Sequence, residues 1–181
     1  MPAREDVVLV DRRDRATGAM EKQRAHVLGV LHRAISVIVL RGDGTLVLQR
    51  RAWTKYHSPG LWTNTCCTHP RLGEPPIDAA HRRLREEMGM ACHLVPAFHF
   101  IYSADVGDGL WEHELDHVFV GVSDDEPRLN SDEVAEWSAV SEADVRRGVR
   151  ERPIAFTTWF RILLHELEAR PSWRGGAPAR M

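Results

Sequence analysis

One stretch constrains the fold more than any other. Residues 33–40, RAISVIVL, are apolar and β-branched, RGDGT follows at once, and LVLQRR resumes over 46–51. Such a run reads as a buried strand, and an Asp-Gly turn between two of them is a strong hairpin cue. Further strands are expected at VVLVD (7–11), at LWTNTCC (61–67), and at AFHFIYSADV (97–106) and LWEHELDHVFVGV (110–122), the last two joined by a Gly-rich turn. EVAEWSAVS (133–141) adds another. Between them IDAAHRRLREEMG (77–89) is the clearest helix, with Ile77, Ala80, Leu84 and Met88 at helical spacing. Pro75 and Pro76 mark its entrance and Gly89 its end. A short helix capped by Ser141 and a longer one over 153–170 close the pattern. These elements give an α/β (α+β) domain. The length, 181 residues, fits one domain over 1–171, with a Pro/Gly/Ala-rich tail, 172–181, read as disordered.

Charge is close to balanced, with 24 basic and 26 acidic side chains, which argues against nucleic-acid or membrane binding through net charge. The first residues are charged and lack an apolar core, so no secretory leader is expected, and no apolar run approaches a membrane span. Three cysteines make no disulfide framework. The expectation is a reduced, cytoplasmic enzyme.

Four features carry possible chemistry. TNTCCTHP (63–70) sets Cys66 and Cys67 beside His69, open to metal, redox or acid–base readings. If extended, the two cysteines face opposite ways. On the strand WEHELDHVF, Glu112, Glu114 and Asp116 share one face while His113 and His117 share the other. His26 and His32 flank the start of the first buried strand. Each of these ten histidines is more often an ordinary histidine than a ligand; His26, His32 and His69 meeting Glu112 and Glu114 would suit a transition metal. On the helix, Arg83 and Glu87 lie four apart, which alone reads as a surface ion pair of little worth.

The wider helix spacing says more. Glu74, Arg82, Leu84, Glu86, Glu87 and Gly89 fall at the positions of a Nudix box, the loop–helix that holds a divalent cation against a diphosphate. The opening glycine would fall on Thr68, and Arg83 stands where hydrolases of that family carry a glutamate, so a role in gripping diphosphate replaces one in cleaving it. Together with TNTCCTHP, the EHE pair and AFTTWF, this order resembles type 1 isopentenyl diphosphate isomerase from about Val7 to about Ala169. A Nudix-type hydrolase and a non-catalytic diphosphate-binding module remain the alternatives.

The resemblance implies a Nudix-like mixed sheet sandwiched between helices, and conversion of isopentenyl to dimethylallyl diphosphate. It implies Cys67 and Glu114 as the proton-transfer pair, Tyr102 hydrogen-bonded in the site, and Trp159 facing a carbocation. Lys22, Arg51, Lys55 and Arg83 would grip the diphosphate. A magnesium ion would sit on Glu87 and the backbone carbonyl of Cys67. A second divalent ion (manganese, zinc or magnesium) would sit on His26, His32, His69, Glu112 and Glu114. No flavin, nucleic-acid or membrane partner is expected, and the chain is read as a monomer.

Overall fold

A computed structural model describes residues 5–176. The strands are β1 (Asp6–Val10), β2 (Ala16–Glu21), β3 (His32–Leu40), β4 (Leu46–Arg51), β5 (Trp62–Thr63), β6 (Cys66–Thr68), β7 (Leu94–Gly107), β8 (Leu110–Val122) and β9 (Val134–Val140). The helices are α1 (Lys22–Leu28), α2 (Pro76–Met88), α3 (Glu142–Glu151) and α4 (Thr158–Ala169). All the strands join one mixed sheet.

β3 is its centre. Along its whole length it runs parallel to β8, from His32 opposite Glu114 to Leu40 opposite Val122. Its other edge changes partner. Val39 and Leu40 pair with β4, whereas Ile35, Ser36 and Val37 pair with Thr68, Cys67 and Cys66 of β6. At its start His32 meets Leu9 of β1. The long hairpin of β7 and β8 sets Tyr102 opposite Glu114 and Ala104 opposite Glu112.

Each face is covered by a helix, as the apolar patterning requires. Ile35, Val37, Val39 and Cys66 pack against Ala79, Ala80, Leu84 and Met88 of α2. Ile38, Val118, Val120 and Tyr102 pack against Trp159, Phe160, Leu163 and Leu167 of α4. Each fully buried large side chain here contributes roughly 1.5–3 kcal/mol. Gly89 ends α2 at φ +60°, and a Cβ there would lie 2.5 Å from the Arg128 carbonyl, so both conformation and space demand glycine.

Several boundaries differ from the sequence expectation. The segment 61–67 is not one strand. The Thr65 hydroxyl accepts from Val39 N and donates to Val47 O, and Asn64 Nδ2 donates to Cys66 O, so side chains interrupt the ladder between β5 and β6. The last helix begins at Thr158, not at Pro153; a 3-10 turn (Pro153–Ala155) precedes it, and the Thr157 hydroxyl accepts from Phe160 N as the cap. β2 and α1 were not expected. β2 is largely exposed and lacks alternation, and α1 has only seven residues, capped by the Glu21 side chain and by Gly29. Part of the segment read as a disordered tail is instead a 3-10 turn, Pro171–Gly176, which buries Trp173 beside α4. Residues 1–4 and 177–181, at the start of the domain and the end of that tail, lie outside the described residues.

Candidate active site

One cavity of about 330 Å³ opens on the α4 face of the sheet. Its walls include Lys22, His26, Arg51, Lys55, Cys67, His69, Arg83, Glu87, Tyr102, Glu112, Glu114 and Trp159. His32 is fully buried beside them, its ring 5.0 Å from that of His26 and 4.9 Å from that of His69. Residues far apart in sequence thus converge because β3 binds β6 on one side and β8 on the other.

Side-chain alternation sorts the neighbouring cysteines. Cys66 is fully buried under α2, whereas Cys67, opposite Ser36, faces the cavity. Burial and then the charge of Glu87 push the Cys67 thiol well up, so it keeps its proton. The alternation of β8 turns Glu112, Glu114 and Asp116 inward. His113 instead meets Gly29 O at 3.0 Å, and His117 meets Asp14 Oδ2 at 2.9 Å.

Ligand atoms of His26, His32, His69 and Glu114 lie within 4.8 Å of one another. His26 Nδ1 sits 2.6 Å from Lys22 O, and His32 Nδ1 sits 2.7 Å from Val30 O. These bonds assign the ring protons to Nδ1 and leave both Nε2 atoms as inward-facing acceptors. His32 Nε2 is 3.2 Å from His69 Nε2, which is 3.0 Å from Glu114 Oε1. Acceptor atoms so close together need a positive centre between them. The set, three imidazoles and a carboxylate, is what a divalent transition metal takes. Burial pushes His69 down to about 4 despite Glu114, and lowers His26 too, giving the neutral rings that ligation needs. The residues fit a divalent metal.

Glu112 is outside that group of four. The Tyr102 hydroxyl lies 2.7 Å from Glu114 Oε2 and 3.0 Å from Glu112 Oε2, joining the two carboxylates. Burial raises both, but the closeness of His32 and His69 outweighs it at Glu114 and holds that group well below the usual carboxylate range. Glu112 is pushed well up, by burial and then by Glu114's charge. Asp116, hydrogen-bonded to Ser36 at 2.8 Å, rises to about 8 from burial and then Glu114. A divalent cation beside Glu114 offsets this crowding of negative charge.

At the other end of the cavity the charges alternate. Arg83 does not form a surface pair, since Glu87 is 5% exposed and lies 2.6 Å from Arg83 Nε. Gln49 Nε2 donates to the second oxygen of Glu87 and to Thr65 O, fixing the carboxylate where β3 changes partners. Burial still raises Glu87 against Arg83 and Gln49. Glu133 holds Arg83 and Lys55 together, and Lys22 pairs with Glu5 at 3.0 Å. Among the described residues no carboxylate pairs with Arg51, whose guanidinium lies 5.1 Å over the Trp159 ring. Sequence reading missed Glu133, Gln49, Glu5 and His57. Gln49 and His57 carry no pattern, but a glutamate next to Asp132, just before β9, could have been weighed as a partner for the cations.

This sheet, helix and buried glutamate define a class. A family model described as NUDIX domain matches residues 30–160. A Deinococcus radiodurans structure shares the fold at TM-score 0.74, with 17% identity, covering 90% of this chain and 98% of that one. Proteins named isopentenyl-diphosphate Delta-isomerase are closer in sequence. The one from Pectobacterium atrosepticum is 51% identical over 87% of this chain and 88% of its own length. Isopentenyl-diphosphate Delta-isomerase 2 from Aromatoleum aromaticum is 47% identical over 97% and 93%. The chain belongs to the isopentenyl-diphosphate Delta-isomerase family within the NUDIX fold. No helix among the described residues is long and apolar enough to cross a membrane.

Proposed function

We propose that this protein isomerises isopentenyl diphosphate to dimethylallyl diphosphate by proton addition and removal. The observation that carries this reading is the pair Cys67 and Glu114, set on strands either side of β3 and facing one buried cavity. An alkene is a weak base, so its protonation needs a positioned acid sheltered from water. One group adds a proton to the terminal methylene, leaving a tertiary cation; a second removes a proton from the carbon on the diphosphate side. No net proton is consumed, and in the reverse direction the two groups exchange roles.

Cys67, held as a thiol, and Glu114, held as a carboxylate, supply one donor and one acceptor. Tyr102 orients Glu114 through its 2.7 Å hydrogen bond. The indole of Trp159 offers its face to the cation, an effect of about 2 kcal/mol or more when desolvated. Lys22, Arg51, Lys55 and Arg83 take the diphosphate, with magnesium held by Glu87 and the Cys67 carbonyl, oxygen ligands suited to that hard ion. His26, His32, His69 and Glu114, joined by Glu112, hold a second divalent metal, with manganese or zinc favoured by the imidazoles and magnesium less typical. When bound, such a metal would fix the Glu114 carboxylate and tune its acidity. The absence of a glutamate at Arg83 counts against hydrolysis, because Arg83 there binds anions and is held charged by Glu87 and Glu133 against the cost of burial.

Turnover in heavy water tests this. The protein, magnesium and isopentenyl diphosphate in deuterium oxide should yield dimethylallyl diphosphate carrying solvent deuterium. Release of inorganic phosphate without an isomerised product would refute the reading in favour of a hydrolase.

A further inference from the structure

The loop between β4 and β5 supplies Lys55 to the cavity, but it also supplies a residue that the chemistry above does not use. His57 is 8% exposed and lines the cavity. Its ring stands edge-on to Trp159, centroids 5.7 Å apart at 75°, and lies 6.4 Å from the ring of His26. From its other end, its backbone carbonyl accepts from Arg51 Nη2 at 3.2 Å. Arg51 in turn lies over Trp159. Three groups thus close on one another: an indole, a guanidinium, and the residue that touches both.

The Trp159 ring needs such support. Its Nε1–H is buried without a hydrogen-bond partner among the described residues, so packing alone sets its plane. The loop is stiff enough to serve. Ser58 sits at φ +49° and Gly60 at φ +69°, and a Cβ on Gly60 would overlap the Trp53 ring at 2.2 Å. Gly60 N and Arg51 O close the turn at 3.1 Å. His57 is not among the converging metal ligands.

We infer that His57 is a positioning residue for the isomerisation, setting the Trp159 face with its ring and the Arg51 guanidinium with its carbonyl. The inference rests on the roles proposed above for Trp159 and Arg51.

The test is a double-mutant cycle with a conservative rescue. His57→Ala should lower kcat roughly tenfold or more, with KM and bound metal little changed. His57→Phe, which keeps the flat edge, should recover most of that loss. In a Trp159→Ala background, His57→Ala should cost less than about twofold further, because the effects share one ring. The near-ultraviolet circular dichroism change caused by His57→Ala should likewise vanish in that background, a readout independent of turnover. The inference is overturned by a silent His57→Ala, by His57→Phe as slow as His57→Ala, by fully multiplicative losses, or by metal loss in His57→Ala. A Trp159→Ala protein with wild-type kcat would refute the role given to Trp159 itself, and His57 acting through it falls too. An impaired Trp159→Ala beside a silent His57→Ala refutes only the inference.

Discussion

Replacing Tyr102 by phenylalanine removes one oxygen from the centre of the site and almost nothing else. The ring is buried and stacks on Phe100 with centroids 5.6 Å apart, a contact the variant keeps. What goes is the hydroxyl 2.7 Å from Glu114 Oε2 and 3.0 Å from Glu112 Oε2. Glu114 Oε1 keeps His69 at 3.0 Å, so the carboxylate stays tethered at one oxygen and becomes free to turn about it. A hydrogen bond to a charged group is worth about 1.5–3 kcal/mol, and its full loss from the transition state slows turnover roughly tenfold to a hundredfold. The phenol is not one of the four converging ligands, so bound metal should be retained. The assay is the steady-state rate of dimethylallyl diphosphate formation, alongside metal analysis of the same sample. A kcat within twofold of wild type at full metal content would falsify the idea that the hydroxyl positions Glu114.

Other outcomes follow from the same geometry. Cys67→Ala should abolish isomerisation in a folded protein, while Cys66→Ala, which trims a buried side chain under α2, should cost about 1 kcal/mol in denaturant titration and little activity; a live Cys67→Ala with a dead Cys66→Ala would reverse the assignment. Glu114→Gln should lose both turnover and tightly bound metal, and full metal occupancy in that variant contradicts its role as a ligand. Glu133 is lowered below 4.5: burial raises it, but Lys55 and Arg83 outweigh that. Its folded pKa therefore lies below the unfolded one, so its stabilisation is full above about pH 4.5 and is lost as pH falls through the lower value. Glu133→Gln should shrink the acid-side loss of stability in thermal melts, and identical wild-type and variant slopes below pH 4.5 would rule that out.

The parts of this site written in local pattern are legible in the sequence. The alternation of WEHELDHVF puts Glu112 and Glu114 on one face because a strand's period is two, and β8 keeps it. The stripe of α2 is legible for the same kind of reason, as is its Gly89 stop. Less legible are α1 and β2, whose conformations are set by a side-chain cap and by neighbours rather than by hydrophobic period. His57 gives no signal at all: it looks like any residue of a polar loop until Trp159, about a hundred positions later, is placed against it.

Sequence by itself determined the fold class, the family resemblance, and which types of side chain were available for metal, diphosphate and proton transfer. These are local properties, carried by residue chemistry and by spacing along helix or strand. Only the tertiary structure decided which groups meet. The parallel register of β3 and β8 brings His32 beside Glu114, and the β3–β6 pairing brings Cys67 to the same face. Tertiary packing also makes Arg83 and Glu87 a buried pair, and lets Glu133 tie Arg83 to Lys55. Register and burial arise from contacts between segments far apart in the chain, and no spacing within one segment encodes them.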